Sequence, residues 1–509
     1  GIGTYVKASS ESDDDVGDRT NDAVRVNASE LGCRMVGEGG NLGFTQLARV
    51  EYALHGGLIY TDAIDNSAGV DCSDHEVNIK ILLSDVMDHT AMTMSERNEL
   101  LAEMTDEVAS LVLANNKAQT MALLIARTQG LPMVNVHARY LDQLEAEGWL
   151  ERELEFLPTD KQIAERQSAG SGLRAPEFAI LIAYTKNANV VEILDSDLPS
   201  SAVLDDDVID YFPTPLRARF RSEILGHRLR REIAATQLVN QMTNLSGISF
   251  DHRMAEETGA SVVDITRAWL TVREILDFPA WWDEVGELHS VSLTDHLDLY
   301  LDCRRTAERC ALWFLRHRRP PVDVAAEVER FRTRVLALAS RFDTHLRGAM
   351  RDGALGLATR RVEQGVPPDL AQRSSVWRLL HTSFDIVELS ERCGVDDGTG
   401  ADVYWEVFDR LELMWLWDAV AALPRYDRWQ TQARSSLRDD MLSVLADLAT
   451  GIVTFGSFDE WAAVNARAIE RSVGQLTQIR RTDVFDVTNL SVALRQLRNL
   501  AVMSLHDLR

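Results

Sequence analysis

The sequence predicts a mainly α protein that opens with a short, partial α/β segment, and three observations carry that expectation. From Ser95 onward, apolar residues recur at helical spacing in long charged stretches. Only 12 prolines interrupt the 509 residues. Before that point, short β-like runs alternate with amphipathic ones. At about 150 residues per domain the length amounts to roughly three domains, and 45% hydrophobic residues are enough to fill their cores.

In the first part, Cys33-Arg34-Met35-Val36 reads as a strand, 45–54 as a helix ending at Gly56-Gly57, and Leu58-Ile59-Tyr60-Thr61 as a second strand. A further helix is expected from Ser73 to about His89. Ser73-Asp74-His75-Glu76 has the form of a capping box, and Val77, Ile81 and Val86 recur near helical spacing. This is too little for a whole doubly wound domain and matches the second half of one. The expected division is 1–92 for this segment and 93–509 for an all-helical domain, with subdomain breaks near 158–172 and 365–374, where polar, glycine and proline residues cluster. In the helical part, Leu100, Leu101, Met104, Val108, Leu111 and Val112 trace one face. Trp405, Phe408, Leu411, Trp415 and Ala419 trace another, read as core rather than a cofactor box.

Charge and composition exclude several classes of function. Lys+Arg 53 against Asp+Glu 79 gives −26, a field that repels phosphate backbones and anionic lipid, so no nucleic-acid partner is expected. The longest apolar runs, 121–126 and 178–184, fall far below the roughly 18 residues of a membrane span. Five cysteines without a C-x-x-C pair suit a reducing, cytoplasmic setting, and Cys303 and Cys310 read as small core residues. No H-E-x-x-H, Cys/His ligand spacing, G-x-S-x-G or Walker A sequence occurs, so no metal site or hydrolase is expected. Cys72 with His75 lacks an orienting third group and makes a poor nucleophile pair. The basic cluster His227-Arg228-Leu229-Arg230-Arg231 reads as a helix face paired with acidic neighbours. Asp13, Asp14 and Asp15, like Asp205, Asp206 and Asp207, read as solvated loops or helix starts.

Two segments can carry chemistry. Gly37-Glu38-Gly39-Gly40-Asn41-Leu42-Gly43 lies between a strand and a helix. It is either a tight turn or a place where a ligand approaches backbone, the Asn41 amide offering donors and an acceptor. Glu38 argues against a pyrophosphate directly above it, leaving a neutral part of a dinucleotide. Asp65-Asn66-Ser67-Ala68-Gly69-Val70-Asp71-Cys72-Ser73 runs from a strand end to a helix start, where α/β sheets bind ligands. Ser73 is either a simple N-cap or, with the free N–H groups of a first helical turn, the receptor of a substrate carboxylate. Asp71, Asp74 and Glu76 oppose the second reading electrostatically.

Val36-Gly37-Glu38-Gly39-Gly40-Asn41-Leu42-Gly43-Phe44-Thr45-Gln46, together with the stretch from Tyr60-Thr61-Asp62 through Asn66-Ser67-Ala68-Gly69-Val70 to Ser73-Asp74-His75-Glu76, resembles the large bacterial NAD-specific glutamate dehydrogenases. Arg174-Ala175-Pro176-Glu177-Phe178, Ser196-Asp197-Leu198-Pro199, Tyr211-Phe212-Pro213 and His227-Arg228-Leu229-Arg230-Arg231-Glu232-Ile233 extend the resemblance to about Phe250.

The resemblance implies the end of a Rossmann-like NAD-binding catalytic domain followed by a helical C-terminal domain. It also implies a longer, homo-oligomeric, cytoplasmic enzyme converting L-glutamate and NAD to 2-oxoglutarate, ammonium and NADH. Gly39, Gly40 and Asn41 would lie at the cofactor, Asn41 near its ribose. Asn66 would approach the nicotinamide carboxamide beside Gly69, and Val70 and Ser73 would face the substrate, the serine bonding its side-chain carboxylate. Gly40, Ser67 and Ala68 depart from the family pattern, where alanine, alanine and glycine stand. A serine at 73 favours glutamate over branched aliphatic substrates, because a dry apolar pocket leaves a hydroxyl unpaired. The family's catalytic lysine and aspartate have no counterpart here, so no catalytic residue is assigned. The start Gly1-Ile2, without Met, reads as that of a fragment whose partner is the upstream polypeptide, and the 509-residue chain alone is expected to be inactive. The competing expectation is a non-catalytic helical assembly or regulatory module.

Overall fold

The computed structural model describes residues 3–425, 427–482 and 484–506. Gly1 and Ile2, on which the fragment expectation rests, lie outside the described residues. The chain divides into two compact units, Gly1–Arg253 with Ser261–Thr266 and Met254–Ala260 with Arg267–Arg509. The expected division between 92 and 93 falls inside the first unit.

Among the described residues, strand structure is confined to β1 (Val6–Lys7) and β2 (Val26–Asn27), paired in parallel with Val6 opposite Val26. Two isolated parallel bridges join Val6 to Phe44 and Met35 to Leu58. The rest of the regular structure is helical, so the protein is mainly α. The expected strand–helix–strand pattern survives in reduced form. Val36 N donates to Leu58 O at 2.9 Å and Leu58 N to Arg34 O at 3.1 Å, and helix α1 (Gln46–Leu54) makes the crossover, capped by the Thr45 hydroxyl, which accepts from Ala48 N at 3.1 Å. The runs 33–36 and 58–61 meet at one rung instead of forming two strands, because a parallel ladder gains definition from neighbours on both sides. Val6, Ala48, Tyr52 and Ile59 form a small core beneath this region.

Further along the first unit come α2 (Asp62–Asp65), α3 (Ser67–His89), α4 (Thr105–Thr128), α5 (Asp160–Ser168), α6 (Ala175–Leu194) and α7 (Arg230–Ser246). Helix α4 packs against α3, α6 and α7, and α6 also against α1. Leu123, Leu141, Phe178 and Ile182 are in the main core. The polar stretch expected as a linker at 158–172 is largely helix α5, started by a capping box in which Thr159 and Gln162 satisfy each other's backbone N–H. Its Arg166 reaches both carboxylate oxygens of the buried Glu177, at 2.7 and 2.8 Å, and Glu177 also accepts from Arg174 N at 2.6 Å. Buried charge is tolerated there because every oxygen is engaged.

The basic cluster pairs with acidic neighbours as expected: Arg228 with Asp85 and Arg230 with Asp205 at 2.5 Å. Arg231 caps the Leu194 carbonyl at 2.6 Å. Asp205, Asp206 and Asp207 occupy the first turn of a helix, and Asp13, Asp14 and Asp15 that of another, favourable places for negative charge.

In the second unit, α8 (Leu293–His317), α9 (Thr382–Cys393), α10 (Asp397–Arg410), α11 (Met414–Ala422) and α12 (Arg428–Phe455) surround an aromatic core. There, Trp313, Phe314 and Phe384 meet at ring separations of 5.0–5.2 Å. The expected stripe at Trp405, Phe408, Leu411 and Ala419 is buried, with Trp415 half-buried. It crosses a helix break where Glu412 takes φ +52°. Cys303 and Cys310 are buried free thiols. The 365–368 segment is a turn between Gly348–Glu363 and Pro368–Ser375, with Gly365 at φ +92°. No single helix among the described residues is long and apolar enough to cross a membrane.

Candidate functional site

Helix α3 begins at Ser67, six residues before the expected start at Ser73, and this relocates the site's chemistry. Asn66 is the N-cap, its side-chain oxygen accepting from Gly69 N at 3.1 Å. Glycine at 69 leaves the cap undisturbed: an added Cβ would stand 2.5 Å from that amide oxygen and push the Asn66 side chain aside. The first turn is therefore 67–70, with Gly69 N and Val70 N already bonded to Asn66, and Ser73 lies in the second turn. Its hydroxyl donates backward to the carbonyls of Gly69 (3.0 Å) and Val70 (2.8 Å), so Ser73 is not an N-cap.

The local capping-box pattern loses to long-range bonds. Asn116 of α4 donates to Ile64 O at 2.8 Å and to Ser67 Oγ at 2.7 Å. Asn115 donates to Asp71 at 3.0 Å. These bonds fix the α2–α3 junction from outside. The buried face of α3 is His75, Asn78, Ile79, Leu82, Leu83 and Val86. Val77, expected inside, is 52% exposed.

The two sequence segments meet at this junction. Asn66 Nδ2 donates to Asn41 Oδ1 at 2.7 Å. That bond uses the Asn41 oxygen and leaves its amide protons available to a ligand. Two more bonds seat the loop on α2: Glu38 N donates to Asp65 at 3.0 Å and Leu42 N to Asp62 at 2.8 Å. The positive φ in the loop falls on Leu42 (+66°), not on a glycine. Gly39 and Gly40 are exposed, and a Cβ on either would meet nothing within 4 Å. Their smallness serves no packing among the described residues. Asn41, Val70 and Ser73 are exposed beside them, and Asn66 half-buried.

Glu38 does not point at the ligand ground: it is buried, bonded by Arg49 Nε at 2.7 Å and Nη2 at 3.0 Å. Arg49 also pairs with Asp62 at 3.1 Å. Burial pushes the Glu38 carboxyl up despite Arg49, with Asp62 and Asp65 adding to the rise. The acidic neighbours of Ser73 are likewise engaged elsewhere. Asp74 accepts from the Tyr211 hydroxyl at 2.8 Å and Glu76 pairs with Lys80. His75 is buried and stacked on Tyr211 at 4.4 Å, burial lowers its pKa, and no contact with Cys72 is among its interactions.

Sequence reasoning missed Arg49, Asp62 and Asp65, the latch that holds the loop, and Asn115 and Asn116. Only the strand-end position of Asp62 and Asp65 offered a signal. It missed Lys186 too, which donates to Gln119 at 2.6 Å. Burial takes its pKa down to about 7, Asp71 being the charge that opposes the drop.

Comparison with known proteins matches two stretches of the chain. A family model described as bacterial NAD-glutamate dehydrogenase, catalytic domain, matches residues 1–126, and one described as glutamate dehydrogenase, C-terminal, matches residues 170–499. The NAD-specific glutamate dehydrogenase of Mycobacterium tuberculosis is 42% identical over 509 residues, covering 98% of this chain and 31% of that protein. The enzyme of the same name from Pseudomonas aeruginosa is 40% identical over 515 residues, covering 99% and 32%. That from Halomonas elongata is 36% identical over 510 residues, covering 98% and 32%. The chain spans about a third of the length of these curated relatives. With two family models matched across most of its length, one of them over more than half, the chain belongs to the bacterial NAD-glutamate dehydrogenase family.

Proposed function

We propose that this chain is the C-terminal part of an NAD-dependent glutamate dehydrogenase, which oxidises L-glutamate to 2-oxoglutarate and ammonium as NAD is reduced to NADH. The observation that carries the reading is the 2.7 Å contact between Asn66 and Asn41, which joins the two family motifs into one exposed surface. We infer further that 1–92 is the second half of a Rossmann-like NAD-binding domain and 93–509 the helical domain. The parallel Met35–Leu58 bridge crossed by α1 supports the first part.

The residues present fit a dinucleotide: two glycines over open space, an amide with spare donors, and a helix start whose N–H groups face no charge of their own. Bound there, NAD supplies the hydride acceptor. Gly39 and Gly40 let it approach the backbone, Asn41 offers its amide to the ribose, and Asn66, packed on Gly69, offers its amide to the nicotinamide carboxamide. Val70 excludes water beside the substrate, and Ser73 donates to the substrate's side-chain carboxylate. To do so the Ser73 hydroxyl must rotate away from the Gly69 and Val70 carbonyls, so those internal bonds hold it in reserve. The groups that take the proton from the α-amino nitrogen and hydrolyse the iminium would belong to the rest of the longer polypeptide. The reading includes a homo-oligomeric, cytoplasmic enzyme, and the five free cysteines suit that compartment.

Initial rates of NADH formation by the full-length enzyme test this. With L-glutamate, kcat/KM is expected to exceed that with L-leucine or L-valine by more than about 100-fold, since a site built for a carboxylate rejects analogues lacking it. Equal rates with leucine would refute the substrate assignment.

A further inference from the structure

The second unit contains a narrow cleft with about 30 Å³ of accessible space, partly open to solvent, lined by residues that include Arg309, Arg316, His381, Asp385, Arg438 and Asp439. Most of its charges are spoken for. Arg316 pairs with Asp439 and, at 3.1 Å, with Glu257. Arg438 stands 3.6 Å from Asp439 and donates to Ser435 at 2.9 Å. Asp385 accepts the Trp313 indole N–H at 2.7 Å.

Two groups are left over. Arg309 donates one N–H to the Arg378 carbonyl at 2.7 Å, and no carboxylate among the described residues lies within ion-pair distance of it. His381 is 4% exposed, and neither of its ring nitrogens has a hydrogen-bond partner. Burial lowers the Arg309 pKa to about 9, with Arg438 and Arg378 adding to the drop. Burial also lowers the His381 pKa, Arg309 and Arg438 contributing and the nearby Arg378 backbone opposing, so the neutral ring keeps a single N–H, which makes no well-formed hydrogen bond. Arg309 keeps some access to solvent and has Glu308 as a favourable neighbouring charge, but it has no ion-pair partner of its own, and the buried His381 ring beside it carries the cost of a donor without a well-formed acceptor. Water would satisfy the imidazole but not the charge. A cation is excluded by the three arginines.

We propose that this cleft is a binding site for a small oxyanion, a carboxylate or phosphate group, with Arg309 as its charge partner and the His381 ring N–H as its second donor. The proposal is independent of the dehydrogenase reading.

The test is a thermal-denaturation titration of the full-length protein with inorganic phosphate, acetate and chloride at constant ionic strength. The wild-type protein is expected to show a saturable rise in Tm with phosphate or acetate and not with chloride, and which of the two acts identifies the source. Arg309→Gln is expected to shift the half-saturating concentration upward at least tenfold. A wild-type response no greater than that to chloride, or an Arg309→Gln response equal to wild type, overturns the proposal. The latter outcome would place any phosphate effect at another site, such as one for cofactor phosphates. If Arg309→Gln does not fold, His381→Leu replaces it: a rise of about tenfold in half-saturation supports the site, and an unchanged titration overturns it.

Discussion

Ser73→Ala in the full-length enzyme is expected to lower kcat/KM for L-glutamate by about 10- to 150-fold, the equivalent of the roughly 1.5–3 kcal/mol that a hydrogen bond to a charged group contributes. It should leave Tm unchanged. The structure separates the two effects. Ser73 is exposed on the second turn of α3, and its hydroxyl bonds only backbone carbonyls of its own helix. Alanine there removes no cap and no buried contact, and it is the better helix former. Initial-rate kinetics and calorimetry on the same preparation check the pair of outcomes. Unchanged kinetics would reduce Ser73 to a helix-surface residue, and a Tm loss of several degrees would make it a structural one.

Arg49→Met should destabilise the first unit by about 3–5 kcal/mol, because it strips the buried Glu38 of its partner and leaves a desolvated carboxylate facing Asp62 and Asp65. The deficit should depend on pH. In the native fold, burial already holds the Glu38 pKa above its ordinary value, and losing Arg49 raises it further. A carboxyl whose folded pKa exceeds its unfolded one favours the fold at low pH, and that contribution is lost as pH rises from the unfolded value, about 4.3, through the folded one. Urea denaturation should therefore show a smaller difference from wild type at pH 5 than at pH 8. A deficit that is equal at both, or one below about 1 kcal/mol, would mean that the pair does not latch the loop. Glu38→Gln placed on the Arg49→Met background should recover part of the loss, since the neutral amide costs less to bury than the carboxylate.

What the sequence made legible was local. Helical periodicity marked the dominant architecture, the helix expected over 45–54 and the helix end near His89 fell where local chemistry put them, and the basic cluster at 227–231 found its acidic partners. The start of α3 was misread because Ser73-Asp74-His75-Glu76 is a strong local signal, whereas Gly69 in the first turn is a weak one. Asn115 and Asn116, more than 40 residues away in sequence, tip that balance. The polarity of 158–172 suggested a linker, yet the Thr159–Gln162 capping box and the Arg166–Glu177 pair make it helix. The latch of Arg49, Glu38 and Asp62 was invisible for the same reason: it exists only once α1, the glycine loop and α2 are brought together. The motif residues were legible by resemblance, but the close contact between Gly69 and the capping amide of Asn66 needed coordinates.

The claim at the centre is that Asn41 and Asn66 act as one cofactor-holding unit, and NADH binding measures it most directly. Fluorescence titration of NADH into the full-length enzyme and its Asn41→Ala, Asn66→Ala and doubly substituted variants should show Kd raised about tenfold by each single change. The double change should cost less than the product of the two, a coupling of at least about 0.5 kcal/mol expected of residues in contact. Three variants that bind NADH as tightly as the wild-type enzyme would contradict the account.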